Sequence, residues 1–208
     1  SLHDALPIYY WRRLTQGSDR WARVRAKRAL IEHKLRTNII TRLQAIESLE
    51  QLRFAWRGDQ LEFDLLRRLG ELYIEEKDFP SGLKSLRQAV TFFPNNIAAR
   101  AVSKKMTKSF SGIYTDGTSD AMTPLTALAL YDQFRELTPV GRRGDKIIQR
   151  LADRLVEVDL LDRASILLDR QVRFRLQGVQ KAQVGGRLAL IRLLDRQPGT
   201  ALEALDES

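Results

Sequence analysis

Residues 63–96 read FDLLRRLGELYIEEKDFPSGLKSLRQAVTFFPNN. Two stretches with helical apolar spacing lie on either side of the polar Lys77-Asp78, and each is too short to be more than a few turns. Gly70, Gly82 and Ala89 are small where two antiparallel helices would have to approach closely, while Leu66, Leu69, Tyr73 and Leu86 would fill the space between them. Pro80, just after Asp78-Phe79, suits the first turn of the second helix. Pro94 ends that helix before Asn95-Asn96, which can cap the next.

Together, Leu66-x2-Leu69-Gly70-x2-Tyr73, Gly82-x3-Leu86, Ala89 and Pro94 resemble the tetratricopeptide repeat at its large, small and terminating positions. The spacing returns as Ile148-x2-Leu151-Ala152-x2-Leu155 with Ala164-x3-Leu168, and again as Gly185-x2-Leu188-Ala189 with Ala201-x3-Leu205, where Arg192 stands in place of an aromatic. Ala127-x3-Tyr131 lies as far from Pro139 as Gly82 lies from Pro94. The clear copies are therefore 63–96 and 145–178, with degenerate copies at 29–62 and 97–144 and a truncated one at 182–208. Predicted helices span 30–40, 41–56, 97–114 and 124–137, with Thr123-Pro124 starting the last and a polar insertion at 115–120. Residues 9–28 would form a helix leading into the array. The resemblance implies an all-α fold, a single right-handed α-solenoid of antiparallel helix pairs over 9–208.

Composition agrees with helices. The 208 residues are 43% hydrophobic, with only 12 Gly and 6 Pro, and no cysteine is present. Disulfide scaffolds and thiolate metal sites are excluded. No apolar stretch approaches the roughly 18 to 20 residues of a bilayer span. The opening Ser1-Leu2-His3-Asp4-Ala5-Leu6-Pro7-Ile8 resembles a translated sequencing adapter and is set aside from fold reasoning. At the other end, Ala201-Leu202-Glu203-Ala204-Leu205-Asp206-Glu207-Ser208 stops within an apolar-periodic segment without a glycine or asparagine stop signal. The chain thus reads as an internal fragment of a longer bacterial protein, able to self-associate through a truncated edge. The expected compartment is the bacterial cell envelope or periplasm, with cytoplasm as the alternative.

Chemistry has little to draw on. With the leading segment set aside, His33 is the one histidine, and it sits between Glu32 and Lys34 as a solvated or half-packed side chain would. The carboxylate pairs Glu75-Glu76, Glu157 with Asp159, and Asp206-Glu207 read as solvated helical faces. Asp116-x3-Asp120 lacks the ligand ladder and closing Glu of a calcium loop. Gly141-Arg142-Arg143-Gly144-Asp145-Lys146 lacks the Gly-Lys-Ser/Thr of a phosphate loop; Gly144 is expected to turn the chain and Asp145 to cap the next helix. No catalytic residue, cofactor or metal is expected.

With 35 Lys+Arg against 26 Asp+Glu the formal charge is +9. Arg12, Arg13, Arg20, Arg23, Arg25, Lys27 and Arg28 face only Asp19, with Tyr9, Tyr10, Trp11 and Trp21 interleaved. This segment supports an alternative reading as a nucleic-acid or anionic-membrane surface. The resemblance instead implies a protein-protein interaction scaffold that takes a protein or peptide in a concave groove lined by first helices. Carried over residue by residue, that groove comprises Asp64, Arg67, Glu71, Ile74 and Glu75 in one copy and Lys146, Gln149, Asp153, Val156 and Glu157 in the later one. Tetratricopeptide proteins that grip chaperone carboxylates use a Lys/Asn-rich groove, from which Glu71 and Glu75 depart.

Overall fold

The computed structural model describes residues 10–208, and every regular element among them is helical. The expectations for residues 1–8 lie outside the described residues. Ten α-helices between Arg20 and Asp206 are labelled in chain order: α1 Arg20–Arg36, α2 Arg42–Ala55, α3 Asp59–Glu75, α4 Phe79–Phe92, α5 Ala99–Thr115, α6 Pro124–Gln133, α7 Arg142–Glu157, α8 Leu161–Phe174, α9 Gly178–Leu194 and α10 Pro198–Asp206. Within the first unit α1 packs on α2, α2 on α3 and α3 on α4, and within the second each helix from α6 to α10 packs on its sequence neighbour, as an array of helix pairs requires. It divides into two compact units, Ser1–Met106 and Thr107–Ser208, with the boundary inside α5.

The repeat is written in the backbone as well as in the side chains. α1, α3, α7 and α9 all end in the same turn, with Asn38, Lys77, Asp159 and Arg196 at φ of 56°, 64°, 60° and 59°. After each of them the next N–H reaches back to a carbonyl five residues earlier: Ile39 to Lys34 and Asp78 to Tyr73 at 2.8 and 2.9 Å, Leu160 to Leu155 and Gln197 to Arg192 both at 2.8 Å. This Schellman closure satisfies the free carbonyls at the helix end and turns the chain toward its partner helix. A second regularity is polar. Arg28 to Asp64, Arg68 to Glu32 and Asn96 to Gln60 each bridge 36 residues, and Lys105 to Glu71 bridges 34, so first helices contact the first helices of the next pair.

In the first unit the core of α1, α2 and α3 gathers Val24, Ala45, Ile46, Leu49, Leu52, Leu61, Leu65, Leu69 and Leu72. α3 and α4 meet where both lack a side chain. A Cβ on Gly70 would lie 2.5 Å from Leu86 Cγ and 2.9 Å from the Gly82 carbonyl oxygen, and one on Gly82 would lie 2.6 Å from Ile74 Cγ1. Asp78 caps α4 by accepting from the Ser81 N–H, and Asn96 accepts from the Ala98 N–H ahead of α5. In the second unit Phe110, Tyr114 and Tyr131 form an aromatic cluster, with Phe110 to Tyr114 at 5.2 Å between ring centroids. The Tyr114 hydroxyl donates to the Ala127 carbonyl at 2.9 Å, and burial pushes its pKa above the usual phenol value.

Three local expectations are corrected. The leading helix expected over 9–28 and the one expected over 30–40 are not separate: α1 runs without a break from Arg20 to Arg36, because Asp19 caps it at Trp21 and Ala22 and no Gly or Pro interrupts it. The helix expected over 124–137 stops at Gln133; Phe134, fully buried at φ −131°, leaves the helical path and a 3₁₀ turn follows at Arg135–Leu137. Asp145 is not a cap. α7 already starts at Arg142, with Gly141 at φ 75° making the turn. Asp145 sits inside its first turn and accepts from Arg175 at 3.0 Å, while Gly144 is small because a Cβ there would fall 1.9 Å from the Pro139 carbonyl oxygen.

Candidate functional site

The first-helix row differs between the two units. In the first, its polar side chains engage one another. Arg28 of α1 meets Asp64 of α3 at 3.2 Å, Arg68 meets Glu32 at 2.8 Å, and Glu71 receives Arg67 at 3.3 Å and Lys105 of α5 at 2.9 Å. Burial alone would lower the Arg68 pKa, but the hydrogen bond and charge of Glu32, with Glu71 and Glu75 behind, raise it. Each such half-exposed pair contributes on the order of 0.2 to 1 kcal/mol, so the ladder fixes register more than it stabilises.

Three of the five positions carried over to this copy, Asp64, Arg67 and Glu71, therefore come together in one ladder. Ile74 turns toward Gly82 of α4, and Glu75 lies 4.0 Å from Arg42 of α2 rather than pairing within the ladder. Tyr73 also faces a second helix, donating its hydroxyl to Glu50 of α2 at 3.2 Å. Burial first, then the Glu50 charge, push its pKa to about 12.

The second unit leaves part of its first-helix row open. A cleft of about 490 Å³ runs between α7 and α9, lined by Arg142, Lys146 and Gln149 on one side and Gln180, Gln183 and Arg187 on the other. A second, of about 430 Å³, lies between α5 and α7, where Tyr114 and Thr115 face Lys146, Gln149, Arg150 and Asp153. Lys146 and Gln149 border both. Asp153 pairs with Arg187 across α7 and α9, and Arg150 reaches Asp120 at 2.6 Å, a contact that ties down the 115–120 insertion. Neither Arg142 nor Lys146 has a carboxylate partner among the described residues, and Asp145, the carboxylate that also lines this cleft, is taken by Arg175, so the cleft presents positive charge beside glutamine amides.

Of the positions expected in this copy, Lys146, Gln149 and Asp153 are brought together, and Val156 and Glu157 border neither cleft. Gln180, Gln183 and Arg187 were not anticipated, although they follow Lys146, Gln149 and Asp153 by 34 residues each, the repeat period itself.

The basic segment at the start of the described chain is largely engaged in structure. Arg20 donates to the Ala55 carbonyl at 2.6 Å, Arg23 to the Gly17 carbonyl at 2.8 Å, and the Arg25 guanidinium lies 4.3 Å from the Trp21 ring centroid. Apolar and charged residues are spread around α1 rather than segregated, so it offers no apolar face to a bilayer. No helix among the described residues is long and apolar enough to cross a membrane, and no three His, Cys, Asp or Glu converge there as a metal site.

No protein-family model matches the chain, and no curated protein matches it. Among solved structures it resembles BtubC (BKLC) from P. vanneervenii, at 13% identity over 97% of this chain and 85% of that one, TM-score 0.41. It also resembles MamA of AMB-1, at 17% identity over 89% of each chain with TM-score 0.33. MamA of MSR-1 aligns at 18% identity over 88% of this chain and 91% of that one, TM-score 0.31. Identities and scores this low leave function to be argued from the residues themselves.

Proposed function

We propose that this chain is a non-catalytic protein-interaction scaffold that takes an extended acidic segment of a partner protein in the two clefts of its second unit. The observation that carries this reading is the pair of adjoining clefts sharing Lys146 and Gln149, in which Arg142 and Lys146 lack a carboxylate partner among the described residues, whereas Asp64, Arg67 and Glu71 of the first unit are locked in ion pairs. Arg142 and Lys146 supply charge for carboxylates. Gln149, Gln180 and Gln183 supply both donors and acceptors for a peptide backbone. The tetratricopeptide-like pattern of 63–96 supports the same reading, with the groove moved to the second unit.

Affinity capture from the source lysate, with and without nuclease, tests it. A discrete protein retained after nuclease treatment, and lost when Arg142→Ala, Lys146→Ala and Gln149→Ala are combined, is the expected outcome. Retention that vanishes with nuclease and falls steeply with salt would replace it with phosphate-backbone binding, because counterion release makes such binding strongly salt-dependent.

A further inference from the structure

α6, α7 and α8 enclose another cavity, of about 410 Å³, that shares no lining residue with the two clefts. Its floor is apolar: Ile148 of α7, Leu167 of α8 and the ring of Tyr131 are all buried. Gln171 is part of the same wall and is 0% exposed. Its Nε2 donates to the Asp145 carbonyl at 3.1 Å, while its Oε1 has no donor.

The rim has a different chemistry. Arg135 and Arg170 are exposed and have no carboxylate partner among the described residues. Arg175, the third guanidinium of the lining, is held by Asp145, and no carboxylate lines the cavity. Beside them Phe174 stands 81% exposed at the C-terminal end of α8. An apolar floor, two free cations and a bare aromatic ring therefore occur together on one face.

We infer that this cavity docks a short acidic segment of a partner protein that carries one aliphatic or aromatic side chain between carboxylates. The apolar side chain enters between Ile148, Leu167 and Tyr131. The carboxylates of the segment meet Arg135 and Arg170, and Phe174 covers the segment on leaving the cavity. A fatty-acid anion would fill the floor but brings a single carboxylate to the two arginines. A phosphodiester strand would meet the arginines but has no aliphatic group for the floor. The site does not depend on the clefts between first helices, and either can fail without the other.

The test uses the full chain. A phage-displayed library of random peptides is panned on it, and the enriched sequence is synthesised with a fluorescein label and titrated by polarisation. The expected consensus is a Leu, Ile or Phe flanked by Asp or Glu. Arg135→Ala combined with Arg170→Ala should weaken the labelled peptide about tenfold or more, as loss of charge-assisted hydrogen bonds implies. Phe174→Ala should weaken it severalfold. Both variants leave buried packing untouched, so an unchanged thermal midpoint accompanies them, and Arg142→Ala with Lys146→Ala should leave affinity unaltered. The proposal is overturned if no apolar-acidic consensus emerges, if the arginine and Phe174 variants bind as tightly as the parent, or if decanoate or a single-stranded oligonucleotide displaces the peptide from the same residues.

Discussion

Gly70 and Gly82 face each other across α3 and α4 with no room for a methyl group. Gly82→Leu should therefore cost on the order of 1 to 3 kcal/mol through overpacking, read as a lower denaturant midpoint. Gly186, in the middle of α9, has nothing within 4 Å of an added Cβ; Gly186→Ala should stabilise by roughly 0.5 to 1 kcal/mol, read as a higher midpoint. An unchanged midpoint in the first variant would mean that the helices do not meet at these residues. Lys77 makes the same point about the turns. At φ 64° it holds a conformation that costs an L-residue about 1 to 2 kcal/mol, so Lys77→Gly should stabilise and Lys77→Val destabilise, against the usual order of helix propensity.

Tyr73 adds a pH signature at the same scale. Its folded pKa of about 12 lies above the ordinary 10.0, so the stability it contributes is complete below the unfolded pKa and is lost as pH rises through the folded one. Glu50→Gln should bring the Tyr73 titration down toward the ordinary value when its ring carbons are followed by NMR. No movement would show that burial alone sets the shift.

At the scale of the element, the last helix should be the weakest. α10 buries only Ala201 and Ala204, and leaves Leu202 65% and Leu205 51% exposed, whereas α3 and α4 bury most of their leucines completely. Hydrogen exchange should show α10 opening at far lower free energy than α3 and α4; equal protection would contradict a solenoid in which each pair depends on its neighbours. Much of this architecture was legible in the sequence. Leu66, Gly70, Gly82 and Pro94 located α3, α4 and the end of the pair, because close-packing and chain-breaking positions leave marks on single residues. α1 was misplaced because counting back one period from Phe63 put the start of a repeat inside a helix that Asp19 begins earlier. Asp145 was misread because a carboxylate just after a glycine looks like a cap; only the approach of Arg175, 30 residues later, shows it as an ion-pair partner.

At the scale of the whole molecule, the candidate site was half legible. Periodicity named Lys146, Gln149 and Asp153, and adding 34 residues to each names Gln180, Gln183 and Arg187 opposite them. That the homologous face of the first unit closes on itself was not legible, since it depends on Arg28, Glu32 and Lys105 meeting Asp64, Arg68 and Glu71 across helices. Opening that ladder by Glu71→Ala should release Lys105 and change stability by less than about 1 kcal/mol, as expected for a half-exposed ion pair. A loss of several kcal/mol in urea unfolding would make the ladder a structural core instead.

The central claim is that a partner protein lies along the first helices of the second unit. Amide chemical-shift perturbation on the isotopically labelled full chain, titrated with the partner recovered by affinity capture, tests it most directly. The account requires the largest shifts at 142–153 and 180–187, on facing sides of α7 and α9. Shifts confined to 20–28, or to α6 and α8, with 142–153 and 180–187 unmoved, would contradict it.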